Sequence, residues 1–368
     1  MFRSFLIFLC IVLVSCSEPS TIKIGFIGSL TGPASDLGSR VRNGTILAIE
    51  QWNARGGVNG STIELITKDD KNDPSRAAAM ASELITEQVA AIVGPSTSAM
   101  AVSVVPVINV AKIPTFGTTV TTDDLVDLDD YFFRPVASTR AGTKHLSQFI
   151  NNHYDVTNFA IVTDLSNEAY TRSWRDQFVK WMSEHEVQVV MEEHFETGDN
   201  LSLLDISQRL ASIDTDMIAL VVNARDAALM TKQIRSKNKD VLIVTSEWSG
   251  TSNLLSLAGS DAEGMIVPRY IDENNAELRF KTLVDQYRVR FEQDIGYAGV
   301  LAYNSTNALL DALANKSQQQ TIKEYLLNKA KFDGVLASFQ LNEFGDEESN
   351  AFHFITEVRQ GKFMTRQD

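Results

Sequence analysis

Residues 90–117, AAIVGPSTSAMAVSVVPVINVAKIPTFG, decide the fold. The opening AAIVG is a short apolar run of the kind that forms a buried strand. The segment SAMAVSVVPVINVAK favours a helix, and IPTFG returns to a strand. A helix that connects two strands of one sheet makes those strands parallel. The stretch therefore predicts a parallel sheet with helices on its faces.

The same alternation extends outward from this stretch in both directions. Further strands are predicted at 21–29, 61–70, 158–164, 186–195, 216–223, 241–247 and 263–270, and helices at 40–57, 73–88, 169–185 and 226–238. The late segment 275–330 is helical with little strand between its helices. A chain of 368 residues exceeds the size at which one hydrophobic core stops growing, so two α/β lobes are expected.

The first sixteen residues, MFRSFLIFLCIVLVSC, read as an export signal. Arg3 precedes an apolar run that is too short to span a bilayer, which is typical of a signal peptide covering 1–15. LVSC (13–16) resembles the lipobox of bacterial lipoproteins, which implies lipid on Cys16 and a tether over 16–20. The alternative is an ordinary signal peptide that ends near Cys16. Cys10 is the only other cysteine, which excludes a disulfide scaffold.

Composition and missing motifs argue for binding rather than catalysis. The formal net charge is −14 and basic residues form no cluster, which argues against a nucleic-acid partner. The glycines of GFIGSLTG (25–32) have the wrong spacing for a dinucleotide site, and no phosphate loop is present. The five histidines form no metal-binding pair, and DDKNDP (69–74) has acids at calcium-like spacing but lacks the glycine and the distant glutamate of a calcium loop. We expect no cofactor, no metal and no catalytic residues.

Hydroxyl-rich turns follow two neighbouring strands of the first lobe. Ser96, Thr97 and Ser98 open a helix, and Thr118, Thr119, Thr121 and Thr122 follow the next strand. Either turn alone is explained by helix capping or turn propensity. Together, at the edge where open α/β sheets bind ligands, they favour a site for a carboxylate, because a helix N-terminus attracts anions.

The second half places complementary groups at the equivalent edge. Tyr170 lies near the start of a helix, Asn223 follows a strand, and Glu247 and Trp248 end another strand. A carboxylate opposite an anion site suits the zwitterion of an α-amino acid, with Glu247 at the ammonium. The alternative for Glu247 is an exposed acid in a loop.

Several phrases in order resemble the periplasmic leucine/isoleucine/valine-binding proteins, the substrate-binding subunits of branched-chain amino acid ABC importers. They are IKIGFIGSLTGPASDLG (22–38), GGVNGSTIELITKDDKNDP (56–74), the stretch at 90–117, YFFRPVAS (131–138) and FDGVLASFQLNEFGDEE (332–348). The resemblance covers nearly everything from 22 to 363.

The resemblance implies roles for particular residues. Thr97 and Ser98 hold the backbone of the ligand, and Thr119, Val120 and Thr121 form the neighbouring turn. Tyr170 covers the ligand, and Glu247 binds its ammonium.

The chain also departs from the family pattern. PTFGTTVTT (114–122) replaces the usual turn, Leu37 stands where many relatives have an aromatic residue, and Trp248 follows the acid. These departures alter the shape of the pocket, so leucine-type specificity does not follow from the resemblance.

The implied architecture is the type I periplasmic binding fold, two Rossmann-like lobes joined by three crossovers near 135–139, 269–271 and 338–341. Lobe 1 combines 21–137 with 272–337, and lobe 2 combines 138–271 with 338–368. The implied mechanism is hinge closure on a small ligand, followed by docking of the membrane-anchored protein on a permease. The alternative is a sensing component for amides, urea or aromatic carboxylates that feeds a separate signalling partner.

Overall fold

The computed structural model describes residues 20–32, 34–197, 200–272, 275–329, 331–347 and 354–366. Within these ranges no helix combines the length and apolarity needed to cross a membrane. Two large sheets organise the chain, one of five strands and one of seven.

The five-stranded sheet has the order β2-β1-β3-β4-β5, and every neighbouring pair is parallel. Its strands are β1 (Thr21–Gly28), β2 (Thr62–Asp69), β3 (Ala91–Val93), β4 (Thr115–Phe116) and β5 (Phe132–Phe133). The three residues of β3 are all buried, as expected for a strand covered on both faces.

Three helices cover this sheet: α1 (Ser35–Ala54), α2 (Pro74–Thr86) and α3 (Ser98–Ala111). Helix α2 shows why these segments are helical. Asp73 caps it, since its side chain accepts a hydrogen bond from the Arg76 N–H at 3.0 Å, and Pro74 occupies the first helical position. Ala77, Met80, Ala81 and Leu84 then form its buried face.

The seven-stranded sheet has the order β14-β13-β10-β9-β8-β6-β7. Its first five strands in the chain are β6 (Asn158–Asp164), β7 (Gln188–Phe195), β8 (Met217–Val221), β9 (Leu242–Thr245) and β10 (Ile266–Arg269), and they pair in parallel. The helices in this part are α4 (Thr139–His153), α5 (Glu168–Glu184), α6 (Asn200–Leu210), α7 (Ala224–Lys237) and α8 (Ser252–Ala258).

The late segment adds helices α9 (Leu278–Phe291), α10 (Gly296–Asn315) and α11 (Ile322–Lys329), then strands β11 (Lys331–Phe332), β12 (Phe339–Gln340), β13 (Phe354–Arg359) and β14 (Lys362–Thr365). Apolar residues of α9 to α11 share one core with β1 and α1. A Cβ at Gly44 would lie 2.3 Å from the carbonyl oxygen of Gly299, so glycine allows the close crossing of α1 and α10.

The predicted α/β class with two parallel-type sheets is confirmed. Each strand predicted from sequence is present, but the sequence interpretation omitted α4, α6, α8 and the short strands β5, β11 and β12. It also omitted the hairpin of β13 and β14, which joins the second sheet in the antiparallel sense through β10. This hairpin lies beyond the α/β alternation on which the sequence argument rested.

A buried acidic group lies just before β5. Asp130 is 6% exposed, and its Oδ1 accepts a hydrogen bond from the Phe132 N–H at 2.8 Å. Its Oδ2 is buried without a partner among the described residues. Burial raises the pKa of Asp130 from 3.8 to about 6, and the nearby Asp346 carboxylate adds to the rise, although the Phe132 hydrogen bond opposes it. The ionised form is therefore unfavourable in the fold.

We expect Asp130→Asn to raise the free energy of unfolding by about 1–3 kcal/mol at pH 7.5. Because the folded pKa of Asp130 is raised, its contribution to stability is complete below the pKa of the unfolded chain and is lost as the pH rises through about 6. The gain from the substitution should therefore shrink as the pH falls below about 6 and vanish below 3.8, the pKa of the unfolded chain. Urea unfolding of parent and variant at several pH values measures it.

Asp129→Asn is the matched control. Asp129 is exposed, and Lys323 at 2.6 Å holds the pKa of this carboxyl below its usual value. Its substitution should give no gain at neutral pH. Equal stabilisation by both variants at pH 7.5 would contradict the role of burial at Asp130.

Candidate functional site

The turn between β3 and α3 carries a hydroxyl that no neighbour satisfies. Thr97 is the N-cap residue of α3 and has extended backbone angles, but its side chain makes no capping hydrogen bond. It is 2% exposed, and its Oγ1 has no partner among the described residues. The hydroxyl of an N-cap threonine normally bonds to a backbone N–H of its own helix. The Thr97 hydroxyl is therefore available to a hydrogen-bond partner outside α3.

Glycine brings this turn against the first strand. Gly94 has φ +105°, and a Cβ there would lie 2.0 Å from the carbonyl oxygen of Ile27. A side chain at Gly94 would therefore push the turn away from the edge of the sheet.

Ser98 ties this turn to the one that follows β4. Its Oγ accepts hydrogen bonds from the N–H groups of Thr121 and Thr122, each at 3.4 Å. Thr119 donates from its Oγ1 to the carbonyl oxygen of Ser96 at 2.5 Å. The two hydroxyl-rich turns predicted from sequence thus lie against each other, and Ser98 has a structural role there.

A buried carboxylate follows β9 in the second sheet. Glu247 is 3% exposed, and its Oε2 accepts hydrogen bonds from Tyr170 OH and Trp174 Nε1, both at 3.0 Å. Tyr170 and Trp174 lie one helical turn apart on α5, which is why they reach the same oxygen. Glu247 is thus not the exposed loop acid that the sequence also allowed.

Two tyrosines near this carboxylate stay protonated. Burial raises the pKa of Tyr170 well above its ordinary value, and the charge of Glu247 adds to the rise. Burial and Glu247 likewise raise the pKa of Tyr270. Both hydroxyls therefore remain neutral donors at physiological pH.

A small cavity separates the two groups of residues. Its volume is about 20 Å³, roughly the space of one water molecule. It is lined by Leu37, Ser96, Thr119, Thr121, Asn167, Tyr170, Trp248, Tyr270 and Tyr297. The predicted residues Leu37, Thr119, Thr121, Tyr170 and Trp248 therefore meet at one place.

The other predicted residues lie farther from this small cavity. Thr97 and Ser98 directly follow the lining residue Ser96 in the chain, and Glu247 is bonded to the lining residue Tyr170. Asn223 caps α7 by accepting from the Asp226 N–H at 3.0 Å. Its amide also donates to Thr197 and Asp226, so its bonds are local.

Sequence reasoning missed Asn167, Tyr270 and Tyr297 in the lining. Tyr270 ends the strand-like segment 263–270, and the rule that ligands bind beyond strand ends could have found it. Tyr297 lies at the start of α10, and only the packing of that helix reveals it.

Hydrogen bonds cross from one group of residues to the other. Asn167 Oδ1 accepts from the Ala99 N–H at 3.1 Å, at the N-terminus of α3. Asn72 Nδ2 donates to the carbonyl oxygen of Ser166 at 3.2 Å. The N-terminus of α3 therefore already attracts a hydrogen-bond acceptor from the opposite side.

Two further expectations concern the anchor and metals. Cys16 and the segment 1–15 lie outside the described residues. Among the residues that the model describes, no group of three or more His, Cys, Asp or Glu side chains is placed to hold a metal ion.

The model of one protein family, described as periplasmic binding protein, matches residues 21–357. The chain belongs to the periplasmic binding protein family. Curated relatives include the leucine-, isoleucine-, valine-, threonine- and alanine-binding protein of Pseudomonas aeruginosa, which is 22% identical over 89% of this chain and 87% of its own length. The Leu/Ile/Val-binding protein of Escherichia coli is 21% identical over 88% of each chain.

Solved structures share the fold of this periplasmic binding protein. The branched-chain amino acid transporter substrate-binding protein of Streptococcus pneumoniae, in complex with isoleucine, superposes with a TM-score of 0.83 at 23% identity and covers 94% of this chain and 98% of its own. A solute-binding protein of Rhodopseudomonas palustris, in complex with 3,4-dihydroxybenzoic acid, gives 0.82 at 19% identity, with coverage of 93% and 95%. The type I periplasmic binding fold is confirmed, and the matched proteins are binding proteins rather than enzymes.

Removal of the Thr97 hydroxyl should leave this periplasmic binding protein as stable as before. Because Thr97 Oγ1 is buried without a partner, we expect Thr97→Val to leave the free energy of unfolding unchanged or to raise it by up to about 1 kcal/mol. Chemical denaturation without ligand measures this change.

Ser98→Ala provides the comparison at the next position. It removes the acceptor for two backbone N–H groups, so we expect a loss of about 1–3 kcal/mol. If Thr97→Val costs as much as Ser98→Ala, the Thr97 hydroxyl has a structural partner.

Proposed function

We propose that this chain is the lipid-anchored, extracytoplasmic substrate-binding protein of an ABC importer, and that it binds an α-amino acid between its two lobes. The observation that carries the proposal is the pairing of opposite recognition chemistries next to the residues that line one cavity. One side has the N-terminus of α3 with the unpartnered hydroxyl of Thr97, and the other has the buried carboxylate of Glu247.

The first side would hold the α-carboxylate. Helix N-termini favour anions, and hydroxyls add donors without adding charge. The bond from the Ala99 N–H to Asn167 supports this assignment, because a neutral oxygen already occupies the position that a carboxylate would take. Thr97, Thr119 and Thr121 are the proposed hydroxyl contacts, with Ser98 holding their turns together.

The second side would hold the α-ammonium. Glu247 supplies the negative charge, and Tyr170 positions its Oε2 through the 3.0 Å hydrogen bond. A buried carboxylate attracts a cation more strongly than an exposed one, because the interior screens charge less than water. Tyr170 and Trp248 would cover the ligand, and Asn223 would contact it from the start of α7.

Ligand entry requires the two sides to separate. The cavity of about 20 Å³ is smaller than any amino acid, and the Asn72–Ser166 and Ala99–Asn167 bonds join the two sides. We assign lobe 1 to 21–137 with 272–337 and lobe 2 to 138–271 with 338–368. The lobes would hinge at their three crossovers and close on the ligand through its contacts with both.

The importer role rests on the family and on the names of its members. The matched relatives are leucine-, isoleucine- and valine-binding proteins, and a matched structure is named as the substrate-binding protein of a branched-chain amino acid transporter. A membrane permease is therefore the proposed protein partner.

A free α-amino acid should raise the melting temperature of the purified protein, and its N-acetyl derivative should not, because acetylation removes the ammonium. A ligand at a hundredfold excess over its dissociation constant adds about 2.7 kcal/mol to the folded state. Thermal unfolding against free amino acids, their N-acetyl forms, short amides, urea and aromatic carboxylates measures this.

Glu247→Gln tests the charge and keeps an oxygen acceptor for Tyr170. We expect it to weaken amino acid binding at least tenfold, about 1.4 kcal/mol. If only amides, urea or aromatic carboxylates raise the melting temperature, the sensing alternative replaces the amino acid proposal. Undiminished affinity in Glu247→Gln would remove Glu247 from the site.

Lipid on Cys16 should hold the protein on membranes. We expect Cys16→Ala, expressed as the full chain, to move the protein into the soluble fraction after a high-salt wash, with ligand affinity unchanged. Fractionation of parent and variant measures this. Cys10→Ala is the control and should stay with the membranes. Retention of Cys16→Ala on washed membranes would contradict lipid anchoring through this residue.

A further inference from the structure

A second, larger cavity adjoins the small one. Its volume is about 390 Å³, within the range of small-molecule pockets. It lies between the first turns of α1, the start of α7, the segment 248–253 and parts of α9 and α10. Unlike the small cavity, it has room for a sizeable chemical group.

Three side chains border both cavities: Leu37, Trp248 and Tyr297. A ligand held by its α-carboxylate and α-ammonium at the small cavity would therefore direct its side chain between these three residues. Trp248 is kept in place by Tyr170, whose ring meets it edge-on at 90° with centroids 6.0 Å apart. Tyr170, which bonds Glu247, thus also contacts one of the three residues that border both cavities.

The large cavity has a mixed lining, in which about half of the residues are apolar or aromatic. Its apolar and aromatic lining residues are Ala34, Leu37, Ala224, Trp248, Ile271, Phe280, Val284, Ile295, Tyr297 and Ala298. Burial of apolar ligand surface against such walls is favourable in proportion to the area removed from water.

Charged residues in the lining are already paired. Arg40 lies 3.2 Å from Asp36, Arg288 lies 2.9 Å from Asp294, and Arg225 lies 3.1 Å from Asp226 behind the wall. A charged ligand side chain would gain no unpaired counter-charge from these residues, so the cavity offers it no ionic contact that water does not already replace.

One polar atom in the lining remains unsatisfied. Thr251 Oγ1 is buried without a hydrogen-bond partner among the described residues, although Thr251 is the N-cap residue of α8. It suits a single donor on a mostly apolar group, such as an indole N–H or a phenol O–H.

We propose that the large cavity takes the side chain of the bound ligand, and that the ligand is an α-amino acid with a bulky, uncharged, aromatic side chain. This inference rests on the amino acid site proposed above and adds its selectivity. The small cavity has no room for a side chain, and the large one exceeds what a short aliphatic side chain fills.

Calorimetric titration of the full-length protein with leucine, phenylalanine, tyrosine, tryptophan, glutamate and lysine tests the proposal. We expect the aromatic amino acids to bind at least tenfold more tightly than leucine, and the charged ones more weakly than leucine. Leu37→Phe narrows the passage between the cavities, so it should weaken aromatic binding at least tenfold and change leucine binding less than threefold.

One further variant provides a second test of the aromatic side-chain proposal, and another serves as its control. Val284→Phe fills the large cavity from α9 and should cause the same selective loss if Leu37→Phe folds poorly. Leu204→Phe is the matched control, because Leu204 lies on α6, is 42% exposed and lines neither cavity. Its affinities should equal those of the parent.

The outcomes separate the two proposals. Leucine binding that equals or exceeds aromatic binding, with no selective loss in Leu37→Phe or Val284→Phe, overturns the aromatic inference and leaves the amino acid site intact. Preference for glutamate or lysine also overturns it. Absence of binding by every α-amino acid overturns the proposed function, and the inference with it.

Discussion

The hydroxyl of Ser98 is the contact on which the candidate site depends. By accepting from the backbone N–H groups of Thr121 and Thr122, it fastens the turn after β4 to the turn after β3. Parallel sheets leave their polar backbone groups at strand ends, and here those ends are buried, so each group needs a partner. With the turns joined, the hydroxyls of Thr97 and Thr118 remain buried and find no partner within the described part of the chain, which is costly unless a ligand uses them.

Burial of the Glu247 carboxylate on the opposite side also costs free energy. Removing the carboxylate of Glu247 from water is unfavourable, and the neutral donors Tyr170 and Trp174 offset part of that cost. The same burial strengthens the attraction of the carboxylate for a cation. Unsatisfied donors on one side and a desolvated anion on the other complement a zwitterion, whose two charges are close together and opposite in sign.

The sequence predicted the parallel strands and the edge at which polar residues gather, because hydrophobic periodicity and strand-end geometry are local. Leu37, Thr119, Thr121, Tyr170 and Trp248 do meet at one cavity. Packing between distant segments was not predictable in this way.

Tyr297 and Asn167 reach the cavity through the placement of α10 and of the turn before α5, which no local pattern encodes. Asn223 was predicted as a ligand contact from its position after a strand. Its amide bonds to Thr197 and Asp226, and the residue lines the larger cavity rather than the small one. Turn residues at one sheet edge share a location, but the competition among neighbouring partners decides which of them face the cavity.

Selectivity in such a site has to arise away from the zwitterion contacts. Every α-amino acid presents the same carboxylate and ammonium, so these groups set a common affinity and discriminate little among side chains. Discrimination therefore depends on the space beyond Leu37, Trp248 and Tyr297. There each additional buried carbon of the ligand contributes about 0.8 kcal/mol to binding. A side chain with a few carbons more than leucine should therefore bind about 10–200-fold more tightly. Charged side chains gain nothing comparable, because Asp36, Arg40, Arg288 and Asp294 already neutralise one another. Charges that are already paired thus give charged ligands no advantage, and the apolar part of the lining favours large neutral side chains.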